Sequence, residues 1–128
     1  GAEGAVLAQA LFLRGTVELL EGQDARSRAD LEKALASGLA ENLKGTARNN
    51  LGVALYRMGS AAEAQRQFEQ ARAASPRAAA SVLNLAIAYH DAREPEKALV
   101  LYDEYLTLGG RRVEDARKWA EGIRRVYR

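Results

Sequence analysis

Between Val113 and Tyr127 the apolar residues fall at steps of three and four: Val113, Ala116, Trp119, Ala120, Ile123, Val126 and Tyr127. That spacing gathers them on one face of an α-helix. On the other face, Glu114 precedes Lys118 and Glu121 precedes Arg125 by one helical turn, the favourable order for a charge pair. Cap and turn signals divide the rest of the chain. Ser60-Ala-Ala-Glu63 has the form of a capping box and follows Gly59, a helix-ending position. Ser75-Pro76 reads as an N-cap followed by proline at the first helical position. Pro95 opens another helix, with Glu94 and Glu96 at its positive end. Asp24 is placed to cap a helix after the turn at Gly22. The pattern predicts helices at 3–21, 24–38, 42–58, 60–74, 76–92, 95–108 and 113–127.

These elements repeat. At an offset of 34 residues Leu51-Gly52 falls on Leu85-Ala86, Leu55 on Tyr89, Gly59 on Arg93, Ala64 on Ala98, Phe68 on Tyr102 and Ala71 on Tyr105. Stepping back 37 residues, Gly15 falls on Gly52, Gly22 on Gly59, Ser27 on Ala64, Leu31 on Phe68 and Ala34 on Ala71. Each unit reads as two antiparallel helices, with small residues where the backbones approach and large ones around them. One such pair cannot bury its apolar face alone, so neighbours must stack.

The chain resembles the tetratricopeptide repeat, whose 34-residue pattern has Leu-Gly or Leu-Ala at positions 7–8, Ala at 20, an aromatic at 24, Ala at 27 and Pro at 32. Residues 45–78 carry it in Leu51, Gly52, Leu55, Ala64, Phe68, Ala71 and Pro76, departing at Arg48. Residues 79–112 carry it in Val82, Leu85, Ala86, Tyr89, Ala98 and Tyr102, departing at Tyr105 and Gly110. A first repeat, 8–41, is degenerate, with Arg14 and Glu18 at apolar positions. A one-residue shift would put Leu13 and Val17 there instead, and both registers stay open. The resemblance implies an all-α fold over 1–128: a single domain, a right-handed superhelix of about seven antiparallel helices, with 113–127 as a capping helix.

Composition agrees with helix: alanine, leucine, arginine and glutamate are abundant and proline occurs twice. Arginine far outnumbers lysine, a bias associated with GC-rich bacterial genomes. The 128 residues suffice for one core, and the absence of cysteine excludes disulfides and thiolate metal sites. The net charge of +2 is uneven, since residues 109–128 hold seven of the 19 Lys and Arg but three of the 17 Asp and Glu. No apolar run approaches the roughly 20 residues that span a bilayer. Gly1 to Leu13 is apolar but lacks a basic n-region, so it does not read as a signal peptide. The chain opens Gly-Ala rather than with Met, so missing targeting signals carry little weight, and bacterial cytoplasm and cell envelope both stay open.

Nothing here has the form of an enzyme. His90 is the single histidine, the acidic pairs Asp103-Glu104 and Glu94/Glu96 lack calcium-loop spacing, and no glycine-rich loop precedes a lysine. No cofactor is implied. What the resemblance does imply is a concave groove lined by the first helix of each repeat. Carried over position by position, its lining is Gln9, Phe12, Leu13, Thr16, Leu19 and Leu20, then Thr46, Asn49, Asn50, Val53, Tyr56 and Arg57, then Ala80, Leu83, Asn84, Ile87, His90 and Asp91. Phe12, Asn49, Asn50, Val53, Tyr56, Arg57, Leu83, Asn84, Ile87 and His90 are the candidate partner-binding residues. Asn50 and Asn84 recur 34 apart, and an amide can pair with a peptide backbone or with the next helix; both readings stay open. The apolar members suit an amphipathic helix or apolar peptide.

Chaperone-binding members of the family hold a terminal carboxylate with lysine and arginine from the first and third repeats. The matching positions here are Phe12, Thr16, Ala80 and Asn84, with Asn50 in the middle, so an acidic tail is not the expected ligand. The expected function is a protein-interaction scaffold within a bacterial assembly of envelope, pilus, secretion or motility type, with a protein or peptide partner. The alternatives are a self-associating homo-oligomer, or attachment to nucleic acid or an anionic surface through Arg111, Arg112, Arg117, Lys118, Arg124, Arg125 and Arg128. That mild basic patch reads mainly as a solvated helix face, against nucleic acid.

Overall fold

The computed structural model describes residues 1–127. Among these lie seven α-helices and no strand: α1 (Ala2–Leu20), α2 (Asp24–Ala36), α3 (Glu41–Arg57), α4 (Ala61–Ala74), α5 (Ala79–Asp91), α6 (Pro95–Leu108) and α7 (Val113–Val126). Short turns make successive helices neighbours. The pairs α1/α2, α3/α4 and α5/α6 pack most closely, and α2 on α3, α4 on α5 and α6 on α7 join them into one stack.

Within a pair, the small residue of the first helix sets the approach. A Cβ added at Gly52 would overlap the Phe68 ring, and one added at Gly15 would meet Leu31. Ser27 Oγ donates to the Gly15 carbonyl at 2.7 Å, which fastens α2 to α1 at the same level. The first repeat therefore packs through Gly15, while Leu13 and Val17 are 55% and 52% exposed. Arg14 and Glu18 thus sit where the other repeats have apolar residues, and α2 answers with a buried acid. Arg14 holds Asp30 with two bonds, 2.6 and 2.9 Å, and Asp30 is 5% exposed. Leu31, Leu55, Phe68, Val82 and Tyr102 anchor the continuous apolar core.

The turns inside the pairs share one geometry. After α3, Ser60 N–H donates to the Leu55 carbonyl and Gly59 N–H to Tyr56, the doubled bond of a helix stop with a left-handed residue. Gly22 and Gly59 take that residue's positive φ at no steric cost, but in the third pair it is Arg93, φ 62°. Three local expectations are corrected. Pro76 does not open α5: Ser75, Pro76 and Arg77 form a turn closed by Ala78 N–H to the Ser75 carbonyl, and α5 starts at Ala79. Asp24 is the first residue of α2 rather than its cap, and its carboxylate turns to Arg57. Ser60 holds the N-cap position of α4, but its hydroxyl makes no capping bond.

The terminal helix α7 lies on α6 with Ala116, Ala120 and Ile123 buried. Trp119 tilts against Tyr102 with ring centroids 5.8 Å apart, and the Arg112 N–H donates to the Tyr105 hydroxyl at 2.8 Å. Val100 is 66% exposed on another side of α6, so the terminal helix does not cover it. Along the outer face Glu114 pairs with Arg117, not Lys118, because the i,i+3 partner is reached first.

Candidate partner-binding groove

The first helices of the three pairs, α1, α3 and α5, lie side by side along one face, and polar bonds hold them in step. Asn50 Nδ2 donates to Thr16 Oγ1 at 3.2 Å, joining α3 to α1. Asn84 Nδ2 donates to Asn49 Oδ1 at 3.0 Å, joining α5 to α3. Asn50 and Asn84 hold matching repeat positions, but their partners do not: Asn50 reaches Thr16, and Asn84 reaches Asn49 rather than Asn50. The asparagines therefore serve first as rungs between helices, each bond using one of an amide's four hydrogen-bonding positions. On the opposite face ion pairs do similar work: Arg28 reaches Glu63 from α2 to α4, and Arg72 reaches Glu104 from α4 to α6 at 2.7 Å.

The remaining candidates separate into three kinds. Phe12 and Leu83 are 8% and 5% exposed, so they belong to the core beneath the groove and offer it little surface. Arg57 donates to the Leu19 carbonyl at the end of α1 (3.1 Å) and lies 3.4 Å from Asp24, tying three helices together. His90 Nδ1 lies 2.9 Å from the Tyr102 hydroxyl, the two rings edge to face. Burial and the nearby Asp91 charge push that hydroxyl above the ordinary tyrosine range, so it stays protonated. Val53, Tyr56 and Ile87 are half-buried and open to the face. With Arg57, Phe68 and Asn84 they line a cavity of about 170 Å³ between α3 and α5. Phe68 was legible only as a packing residue, and nothing in its repeat position marks it as a cavity floor.

A polar cluster lies at the first pair. Asp30 is held near pKa 2, because Arg14 donates to its carboxylate, despite burial acting the other way. Glu18 is pushed upward, first by its hydrogen bond with Asp30, then by burial and by the charge of Asp30. Its buried Oε1 has no hydrogen-bond partner. The cluster closes the inner face of a helix pair and does not open on the groove.

Among the described residues no group of three or more His, Cys, Asp or Glu is placed to hold a metal ion, and no helix is long and apolar enough to cross a membrane. Much of the basic charge on α7 is already engaged. Arg112 lies over the Trp119 ring and reaches Asp115, Arg117 reaches Glu114, and Arg124 reaches Asp103. Arg128 lies outside the described residues.

Residues 45–75 match the tetratricopeptide-repeat family model. Comparison with curated protein sequences finds no match. Solved structures of the same build are numerous in kind but distant in sequence. The first tetratricopeptide domain of Spaghetti (RPAP3), bound to an HSP90 peptide, is 17% identical with TM-score 0.83, the alignment covering 95% of this chain and 94% of that one. The Arabidopsis OM64 tetratricopeptide domain is 12% identical with TM-score 0.84, covering 95% and 98%. Pseudomonas aeruginosa PilF is 20% identical with TM-score 0.75, covering 94% of this chain and 61% of that one. One repeat, 45–75, is thus matched by the tetratricopeptide-repeat model, and the chain has the tetratricopeptide-repeat fold over nearly its whole length.

Proposed function

We propose that the chain is one tetratricopeptide-repeat unit, repeats 8–41, 45–78 and 79–112 with a terminal cap, acting as a non-enzymatic scaffold within a bacterial multiprotein assembly. It holds a peptide or amphipathic helix of its partner on the face of α1, α3 and α5. The observation that carries this reading is the cavity between α3 and α5, apolar in Val53, Tyr56, Phe68 and Ile87 and rimmed by Arg57 and Asn84. Such a cavity takes one apolar side chain, while a rim amide and guanidinium can hold backbone carbonyls beside it. The partner differs from the HSP90 peptide carried by the Spaghetti domain. At the positions where a terminal carboxylate would be gripped this chain has buried Phe12, Thr16 already bonded to Asn50, and Ala80.

The test is capture of a partner from the source organism, followed by titration of the identified segment. Ile87→Asp puts a charge in the cavity and is expected to weaken binding by at least about tenfold, or about 1.4 kcal/mol. Circular dichroism would establish that the variant is folded. Undiminished binding by folded Ile87→Asp would move the site off this face.

A further inference from the structure

The two ends of the stack are finished differently. At one end α7 turns a charged face outward, through Glu114, Arg117, Lys118, Glu121 and Arg125. At the other end α1 is apolar on both sides. Ala8, Phe12, Gly15 and Leu19 are buried against the next helices. Val6, Ala10, Leu13, Val17 and Leu20 run down the opposite side, all exposed, with Val6 at 69% and Leu20 at 83%. A helix with two apolar faces is built for burial on both.

The outer stripe has a definite form. Its steps are four, three, four, three, the seam of a coiled coil, and at 100° per residue it stays within an arc of about 80°. The occupant that fits such a seam is another helix. Head-to-tail stacking on a second molecule would set the stripe against the charged face of α7, burying those charges against apolar side chains at high cost. The stripe is, however, complementary to itself. In an antiparallel pairing Val6 meets Val17 of the second copy, Ala10 meets Leu13, and the same contacts recur across the two-fold axis. Small lies opposite large at the centre, and the helix dipoles oppose. The flank nearer the groove is uncharged, Gln9 and Thr16, and Arg14 on the other flank is already engaged by Asp30. No like charges are forced together along the seam. We infer that α1 is a homodimerisation surface, pairing two copies of this chain antiparallel through Val6, Ala10, Leu13 and Val17, with Leu20 at the edge of the seam.

A two-fold pairing of this kind closes on itself and stops at two. It leaves the Val53–Ile87 cavity of each copy uncovered, so it stands apart from the groove reading.

Sedimentation equilibrium of the chain from micromolar to millimolar concentration is expected to give a dimer. Leu13→Glu should raise the dimer dissociation constant by roughly a hundredfold, since it buries a charge at the centre of the seam. Its helicity and melting should be those of the parent monomer, because Leu13 is 55% exposed. The chain has no cysteine, so orientation can be read directly. Mixed Val6→Cys and Val17→Cys chains should cross-link to each other on mild oxidation, while Val6→Cys alone should not. A monomer at every concentration would overturn the inference and leave the stripe to a preceding helix or another protein. A dimer untouched by Leu13→Glu, or one that cross-links Val6→Cys to itself, would overturn it equally.

Discussion

Gly52 lies where α3 touches the Phe68 ring, and a methyl group there cannot be added without moving that ring. Gly52→Ala is expected to cost about 1–2 kcal/mol net, because overpacking outweighs the gain in helix propensity. Phe68→Ala should cost roughly 3–5 kcal/mol, the range for a large buried aromatic; a loss below about 1 kcal/mol in urea would place Phe68 outside the core. Arg93 offers the opposite case. It holds a left-handed conformation that its counterparts reach as glycine, so Arg93→Gly should stabilise by about 0.5–1 kcal/mol in the same measurement. Asp30 predicts an acid limb. Its folded pKa is depressed, so its contribution is present above the ordinary 3.8 and is lost as pH falls through about 2. Glu18 acts in the other sense, favouring the fold below its ordinary value and losing that contribution as pH rises. Asp30→Asn should flatten the loss of stability between those two pH values in acid denaturation curves; an unchanged limb would show that Arg14 does not hold the carboxylate.

The helices themselves were legible because their signals are local. Pro95 opens α6 and Gly59 ends α3 as their positions require. Ser75-Pro76 carries the same kind of signal and misleads, because that segment is needed as a turn over the start of α3, with Ser75 Oγ beside Gly45. Helix α7 shows what an element contributes beyond its own stripe. It closes the α6 face that carries Tyr102, and shares with that helix a gap lined by Leu99 and Ile123. Deleting 113–128 should expose this face and cause aggregation or loss of cooperative melting. A truncated chain that stays soluble and melts at the same temperature would show α7 to be an independent arm.

Across the molecule the groove depends on three helices being held in step. The bonds from Asn50 to Thr16 and from Asn84 to Asn49 do this on one face, and the Arg28–Glu63 and Arg72–Glu104 pairs on the other. Replacing both asparagines by alanine removes two interhelical bonds. It should cost about 1–3 kcal/mol in total, at the usual value of a partly exposed hydrogen bond. If the partner lies over these rungs, the same double variant should also bind at least about tenfold more weakly. Full binding by the folded double variant would place the partner elsewhere.

Spacing along the chain was enough to specify seven helices and their pairing, since a 34-residue period of small and large residues has few ways to bury itself other than stacked hairpins. It also marked Phe68 and Tyr102 as core and aligned Asn50 with Asn84. Three-dimensional packing settled what one-dimensional period cannot. The two registers of the first repeat differ by a single residue, and the close approach of Gly15 to Leu31 separates them. Phe12 and Leu83 stand at groove positions yet are closed into the core, because how deep a position lies depends on neighbours far along the chain. The asparagines could have faced a ligand or the next helix, and packing turned each to the first helix of the preceding pair. The exposed stripe on α1 is the plainest instance: an apolar helix reads the same in sequence whether covered on one side or two, and only the assembled stack leaves one side open.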